Sequence, residues 1–437
     1  AIDMGDKHTI ISDKGSHALY VYGSNSHGQL CADTVSLKVP SLLISYPNVT
    51  SVAAGANHTL FVDTYVYGCG DNSNGQLGLG DTESRKTPAV IYGVAFQYGQ
   101  RVDVAAGGNM SIAGANILDG SSPKVRLYSW GYDETMGGVN TQAVPKLLVS
   151  GDLPPARNDP LYSAGVNFAI LRATSNYNVF SLGINDKWQL GRISGAGISY
   201  DADALNPDTH KNLNKTDMDT GFVYAPYGSE AQEYPPSYFQ NNYFARLAAG
   251  DDFSVVVARE LKTDDEWTVN NVHGVFVWGA NDKGQLGFEN KNKDNETFVR
   301  RPTALFNAYG ETSATGDPNG VIPIKKAVME VAAGKAHGLA VSDDGVLYGW
   351  GENNKSQLTS NNQANAVNNK VVEIYKPAGV SSGYKNVWAG GDRTIALAGD
   401  GNLWTWGDNE GGILGINSDE PAIDTPKKLM FKIKPMN

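Results

Sequence analysis

The sequence predicts an all-β fold: one domain, a seven-bladed β-propeller of four-stranded antiparallel blades with long loop insertions in blades 3 to 6. Two recurring phrases predict it. The first joins a short aromatic or β-branched strand to a glycine-rich loop. It is clearest from Tyr65 to Asp81, with Tyr65-Val66-Tyr67-Gly68 leading to Gly75-Gln76-Leu77-Gly78. It returns at Val21-Tyr22-Gly23, Ser129-Trp130-Gly131, Ser181-Leu182-Gly183, Val277-Trp278-Gly279, Gly349-Trp350-Gly351 and Thr405-Trp406-Gly407. The second is a small-residue strand ending in Gly, then two residues, then another strand. Its copies begin at Gly5, Gly55, Gly107, Gly165, Gly250, Gly334 and Gly390. Both phrases occur seven times and alternate, so they agree on the number of units.

A chain of 437 residues exceeds one simple core. A repeat array still makes one domain, because each unit buries its faces against its neighbours. The repeats run roughly 1–46, 47–97, 98–154, 155–243, 244–324, 325–379 and 380–437. No apolar run approaches the length of a membrane span. The formal net charge of −11, with no basic tail, argues against a nucleic-acid partner. Two cysteines exclude a disulfide-rich scaffold. Ala1 at the start suits a mature secreted protein, and equally a trimmed chain. With a surface rich in Asn, Ser, Thr and Tyr, this points to an extracellular or cell-surface location. A cytoplasmic or nuclear one is the alternative.

The first unit opens at Ile2-Asp3-Met4-Gly5, and Lys428–Ile433 is the last strand-like segment. An open ring would leave unpaired edges, so terminal strands in or beside one blade are expected to close it. The third unit lacks the Gln-Leu pair and lengthens its hairpin between Gly114 and Lys124. In the fourth, Trp188 stands where a glycine usually sits, and an insertion follows from Arg192 to Asn242. The fifth carries a long hairpin from Arg259 to His273, and a further insertion runs from Phe306 to Ile324.

The glycines at Gly23, Gly68, Gly131, Gly183, Gly279, Gly351 and Gly407 mark strand exits that need a residue without Cβ. The preceding aromatics, such as Trp130, Trp278, Trp350 and Trp406, are expected to pack between blades. His8, His58 and His337 stand three residues after an inner-strand glycine, where other units hold Met110, Phe168, Phe253 and Arg393. Histidines in separate blades make a poor metal site, so hydrogen bonding within the blade is expected. The glycine runs around Gly68–Gly80 precede no helix that could receive a phosphate. Asp201, Asp203, Asp217 and Asp219 miss the spacing of a calcium loop. No cofactor or metal is expected. Cys31 and Cys69 fall in loop positions of adjacent repeats, so they are either a disulfide or two buried thiols.

Together the two phrases resemble the repeats of the regulator of chromosome condensation (RCC1-like) family, from about Ile2 to Lys434. The resemblance implies a seven-bladed propeller. The family's founding activity is nucleotide exchange on a small nuclear GTPase, coupled to chromatin binding. That activity depends on a basic tail and exchange-face loops that this acidic chain does not reproduce. Other relatives work without catalysis, among them secreted propellers that bind β-lactamases. The reading is therefore a non-enzymatic binding protein that recognises another protein or surface component. A guanine-nucleotide exchange factor is the alternative.

Alternation of antiparallel strands sends successive turns to opposite faces of the ring. The Gly-x-x-His turns and the Gly-Gln-Leu-Gly loops share face one. The second-to-third-strand hairpins and the links between units share face two. The Arg259–His273 hairpin, the 306–324 insertion and the end of the 192–242 insertion then fall on face two. Interface anchors are typically aromatic, which nominates Trp267, Tyr234, Tyr238, Phe239 and Tyr309, with Asp264 and Asp265 beside them.

Overall fold

The computed structural model describes residues 1–13, 15–16, 18–43, 46, 48–94, 102–119, 122–131, 142–151, 162–166, 168–172, 179–183, 187, 189–190, 242–260, 272–288, 297–306, 327–359 and 368–432. Sheet 1 is built in chain order from Ile2–Met4, His8–Ser12, Leu19–Ser24 and Ser36–Leu43. Sheet 2 follows with Ser51–Ala54, His58–Val62, Val66–Gly70 and Arg85–Val90. Sheet 3 holds Val102–Gly107, Met110–Asp119, Ser122–Gly131 and Gln142–Gly151. Sheet 4 has Tyr162–Ala164, Phe168–Arg172 and Val179–Gly183. Sheet 5 holds Asn242–Ala249, Phe253–Glu260, Val272–Ala280 and Phe298–Phe306. Sheet 6 holds Val328–Ala333, His337–Ser342, Leu347–Gly351 and Asn368–Glu373. Sheet 7 holds Tyr384–Gly390, Arg393–Ala398, Asn402–Asp408 and Ala422–Lys432.

Every pairing is antiparallel and sequential. The first strand of each sheet touches the first strand of the next, and that of sheet 1 touches that of sheet 7. Four strands were expected in all seven units. Six sheets have four, and sheet 4 has three among the described residues.

The inner strands come so close that a side chain on their terminal glycines has no room. A Cβ on Gly5 would overlap the carbonyl of Gly55, and one on Gly165 that of Gly250. The exit glycine pairs with the residue three beyond the inner glycine: His8 with Gly23, Met110 with Gly131, His337 with Gly351. In sheet 2 this corrects the expectation. Gly70 (φ 104°), not Gly68, stands opposite His58, and Gly68 stays within its strand opposite Leu60. The lengthened hairpin at Gly114–Lys124 is also not a loop. Its strands stay paired as far as Asp119 and Ser122.

The closure differs from expectation too. Each terminal strand completes its own sheet, so sheets 7 and 1 meet as neighbours without sharing strands. Asn417 N–H donates to the Lys38 carbonyl (3.0 Å), and Lys38 pairs with Asp419. The buried Arg393 guanidinium donates to the carbonyls of Gly5 (2.6 Å), His8 (2.9 Å) and Ile413 (3.1 Å) and to Thr9 Oγ1 (3.2 Å).

Most seams between sheets are written by one device. The glutamine of the Gly-Gln-Leu loop turns its Oε1 back onto a backbone N–H two residues earlier, as Gln76 does with Asn74 (2.8 Å). Its carbonyl then faces the next sheet. There it accepts the indole N–H: Trp130 to Gln76 (2.8 Å), Trp278 to Gln189 (2.7 Å), Trp350 to Gln285 (2.8 Å), Trp406 to Gln357 (2.9 Å). The indole lies over the glycine after the leucine. A Cβ on Gly78 would come within 2.9 Å of Trp130, and one on Gly287 within 3.1 Å of Trp350.

The seam between sheets 1 and 2 replaces both halves of that pair. Cys69 takes the tryptophan position, in a strand rather than the expected loop, and Cys31 takes the glycine position. The two are joined in a disulfide across a Cα–Cα distance of 5.3 Å. Without an indole above it, residue 31 has space for a side chain, although it keeps the left-handed backbone of its glycine counterparts (φ 56°).

The bond closes a loop of sequence separation 38, worth about 4 kcal/mol on the chain-entropy account. Cys31→Ala with Cys69→Ala is expected to lose about 3 kcal/mol or more in urea unfolding, and reduction of the native chain to approach the same value. Cys31→Gly with Cys69→Trp, which restores the pair used elsewhere, is expected to recover most of the loss and to be insensitive to reductant. Equal midpoints for oxidised and reduced protein would refute this.

Candidate functional site

The inner strands of all seven sheets line a cavity of about 470 Å³. Five of its polar side chains bond one wall to the next. Neighbouring inner strands share no ladder, so their inward N–H groups need acceptors from elsewhere. Asp3 accepts from Ala54 N–H (2.8 Å), Ser51 from Val104 N–H (3.1 Å) and Ser163 from Ala249 N–H (3.0 Å). Arg246 pairs with Glu330 at 2.8 Å, joining sheets 5 and 6. Burial raises the Asp3 carboxyl to about 6, against the pull of its two backbone donors.

At the face-one mouth the turns after the inner glycines form a belt of backbone bonds. Ala56 N–H donates to Gly108 O (2.9 Å), Asp251 to Lys335 (3.3 Å) and Lys335 to Gly391 (2.8 Å). The belt gathers Asp6, Asp251, Asp252 and Asp392 with Lys335. Desolvation, then Asp6 and Asp252, push Asp251 up to about 8, and Lys335 opposes them.

The three histidines belong to the seams. His8 Nε2 lies 2.8 Å from Thr59 Oγ1, His58 Nε2 2.8 Å from Ser111 Oγ, and His337 Nε2 3.3 Å from Thr394 Oγ1. These bonds cross to the next sheet, where hydrogen bonding within the blade was expected. Each hydroxyl donates onward to a glutamine carbonyl: Thr59 to Gln29 (2.7 Å), Ser111 to Gln76 (2.8 Å), Thr394 to Gln357 (3.0 Å). The hydroxyl proton is thus committed, so Nε2 carries the ring proton and Nδ1 is bare. Burial first, and the Arg393 charge for His8, hold the rings neutral. His8 and His337 are lowered to about 3 and His58 to about 4. Among the described residues no group of three or more His, Cys, Asp or Glu is placed to hold a metal ion.

A second repeated device was missed in the sequence. An asparagine five residues before the loop leucine accepts that leucine's N–H: Asn25 from Leu30, Asn72 from Leu77, Asn281 from Leu286, Asn353 from Leu358, Asn409 from Leu414. All five are buried. The fixed Asn-to-Leu spacing was the available signal.

The nominated residues Trp267, Tyr234, Tyr238, Phe239, Tyr309, Asp264 and Asp265 lie outside the described residues, as do Asp201, Asp203, Asp217 and Asp219. The flanking strands end at Glu260 and resume at Val272, end at Phe306 and resume at Val328, and resume at Asn242 after the longest insertion. No helix among the described residues is long and apolar enough to cross a membrane.

Sheets radiating from a common cavity, tied by glutamine carbonyls, define an all-β propeller. Models of the regulator of chromosome condensation (RCC1) repeat match residues 16–62 and 63–113, and a second model of that repeat matches 330–357. The chain carries RCC1-like repeats in these three stretches. It is similar to the Arabidopsis thaliana ultraviolet-B receptor UVR8, 24% identical over 89% of this chain and 81% of the receptor. It is also similar to human E3 ubiquitin-protein ligase HERC2, 24% identical over 80% of this chain but only 7% of that protein. The human X-linked retinitis pigmentosa GTPase regulator is 36% identical over 34% of this chain and 14% of its own length. The solved structure of Saccharomyces cerevisiae Prp20p, studied for its binding to Gsp1p and histones, superposes with a TM-score of 0.64 at 21% identity, covering 94% of this chain and 85% of that one. Human WBSCR16 gives 0.62 at 17% identity, covering 95% and 94%. These structures support the fold.

Two pH effects follow. In the unfolded chain His337 takes up a proton near 6.5, whereas in the folded chain it does so only near 3. Its contribution to stability is therefore lost as pH falls below about 6.5, by about 1.4 kcal/mol per pH unit per histidine. His337→Phe, the residue type at the same place in sheet 5, is expected to lower the pH slope of unfolding between pH 6 and 4 by one proton. An unchanged slope would mean that the ring is charged when folded. Asp251 acts in the other sense. Its folded value is raised, so its contribution is present below the usual carboxylate range and lost as pH rises towards about 8. Thermal melts of Asp251→Asn from pH 6 to 9 are expected to be flatter than those of the native chain. Parallel curves would remove Asp251 as the source.

Proposed function

We propose that this chain is a non-catalytic protein-binding propeller, with sheet 4 as its seventh blade, that engages a partner through face two and works in an oxidising compartment. One observation carries the first part. Polar side chains of the cavity, where a propeller enzyme would hold its reacting groups, are engaged in wall-to-wall bonds: Asp3 to Ala54, Ser51 to Val104, Ser163 to Ala249, Arg246 to Glu330. Face two is favoured because the hairpin between Glu260 and Val272 and the link between Phe306 and Val328 both leave from that side. A rigid ring displaying long loops is a common binding arrangement. Trp267, Tyr234, Tyr238, Phe239 and Tyr309, with Asp264 and Asp265, remain the proposed anchors. The compartment rests on the Cys31–Cys69 disulfide, a bond that reducing cytosol disfavours. The RCC1-like fold also accommodates nucleotide exchange on a small GTPase, and this second reading is favoured only by the RCC1-like repeats.

Affinity capture with the whole chain from an extract of its source organism tests both readings. Trimming the Arg259–His273 hairpin to a short turn, or changing Tyr238→Ala and Phe239→Ala, is expected to weaken capture at least tenfold. Lys335→Ala at face one is expected to leave it unchanged. Capture of a small GTPase whose bound nucleotide is released faster in the presence of the chain would replace the first reading with the second.

A further inference from the structure

Phenols crowd one outer corner of sheet 2, away from the cavity. Tyr46 lies in the link from sheet 1, Tyr65 in the hairpin between His58–Val62 and Val66–Gly70, Tyr67 on the second of those strands, and Tyr92 just beyond Val90. Strand alternation places the hairpin and both links on face two. Tyr67 stacks on the fully buried Phe61 at 5.1 Å and 10°. Tyr46 meets Phe61 edge-on at 4.7 Å and Tyr67 at 4.9 Å, and Tyr65 meets Tyr67 at 6.5 Å and 73°. The outer rings face water: Tyr65 is 50% exposed and Tyr92 84%.

The cluster is anchored as well as exposed. Phe61 belongs to the core shared by sheets 1 and 2, with Tyr46 and Tyr67 packed against it, and that core includes the Cys31–Cys69 bond. Asp63 sits in the same hairpin. Its carboxylate accepts from Asn48 N–H (3.1 Å) and Thr64 Oγ1 (3.2 Å). No lysine, arginine or histidine among the described residues pairs with it. Desolvation, then Tyr46, Asp63, Tyr65 and Tyr92, raise the Tyr67 phenol above its usual range, and Tyr67 pairs in register with Val90, two residues before Tyr92.

From this geometry we propose that the Tyr46–Tyr65–Tyr67–Tyr92 cluster with Asp63 is a docking site for a basic side chain, arginine or lysine, on an extended segment of a partner protein. Aromatic faces attract cations through their quadrupole, and the unpaired carboxylate adds a full charge. The chain's net charge of −11 complements a basic segment and steers it to the surface. Steep angles between the rings disfavour a flat sugar platform and suit a compact cation approached from several sides. The anchored rings lose little freedom on binding. The proposal deepens the face-two reading but is separable from it, because it uses none of the insertions.

The test is fluorescence anisotropy of a labelled oligo-arginine peptide with the full chain at about 150 mM salt, where diffuse attraction is largely screened. Tyr65→Ala with Tyr92→Ala is expected to weaken binding by about tenfold, the combined effect of two exposed cation–π contacts. Asp63→Asn is expected to weaken it several-fold. Asp424→Asn, an equal change of charge at an exposed site on sheet 7, is expected to have no effect. Both tyrosines are exposed, so a melting curve like that of the native chain serves as the folding control. Equal losses for Asp63→Asn and Asp424→Asn, or no saturable binding, would overturn the proposal in favour of diffuse charge. Tyrosine-dependent binding of chitohexaose without peptide binding would overturn it in favour of a glycan surface. If peptide binding fails while hairpin trimming still abolishes partner capture, this site falls and the face-two reading stands.

Discussion

The ring depends on what a glutamine carbonyl does at the seam between sheets. Neighbouring blades share no strand ladder, so their cohesion must come from packing and from a few directed bonds. Gln29, Gln76, Gln189 and Gln357 each present a backbone oxygen that the next sheet meets with a hydroxyl, while Gln76, Gln189, Gln285 and Gln357 also receive an indole. The glutamine side chain closes its own loop and so fixes the direction of that oxygen. Histidine at the paired position adds a donor to the hydroxyl. The result is a buried relay whose members have little freedom to titrate or to move.

Exceptions follow the same logic. In sheet 7 Ile413 replaces the glutamine, and Arg393 in the histidine position takes up its carbonyl together with two others and Thr9. Four acceptors take up the two terminal nitrogens of this buried guanidinium and leave only its Nε–H without a partner, so one side chain supplies the buried bonds of this closing seam. In sheet 3 the Gln-Leu pair is absent, and sheet 4 correspondingly offers Ala169 and Leu182 where sheets 3, 5 and 7 have a hydroxyl and an indole. At the first seam glycine and tryptophan have become two cysteines. Paired replacement is what a close contact requires, because a Cβ at the glycine position collides with the indole.

This division of labour bears on function. Inner strands and face-one turns are committed to holding the ring: their glycines to close approach, their polar groups to bonds between sheets. Face two carries the hairpins and the links, whose lengths vary without disturbing a seam. The tyrosine corner around Asp63 shows that even a short hairpin on that face can present aromatic surface and unneutralised charge on a rigid base.

Much of this was written in the chain. Fourteen phrase copies set the number of sheets to seek, and the spacing of Gly, Trp and Gln placed the strands and predicted tryptophans between blades. Local periodicity reports such features because each strand and turn is specified by its own residues. What the phrases could not report was pairing between units. His8 meets Thr59, Arg393 meets Thr9, and Cys31 meets Cys69 across seams whose partners lie far apart in sequence. The exit at Gly70 rather than Gly68 is of the same kind, since two glycines with one residue between them read alike until the register with His58 chooses. The Tyr46, Tyr65, Tyr67 and Tyr92 corner likewise joins residues from two links and a hairpin. Sequence determined the repeat and its strands, and tertiary structure decided who faces whom, because hydrogen-bond direction and steric fit at a seam depend on both sides at once.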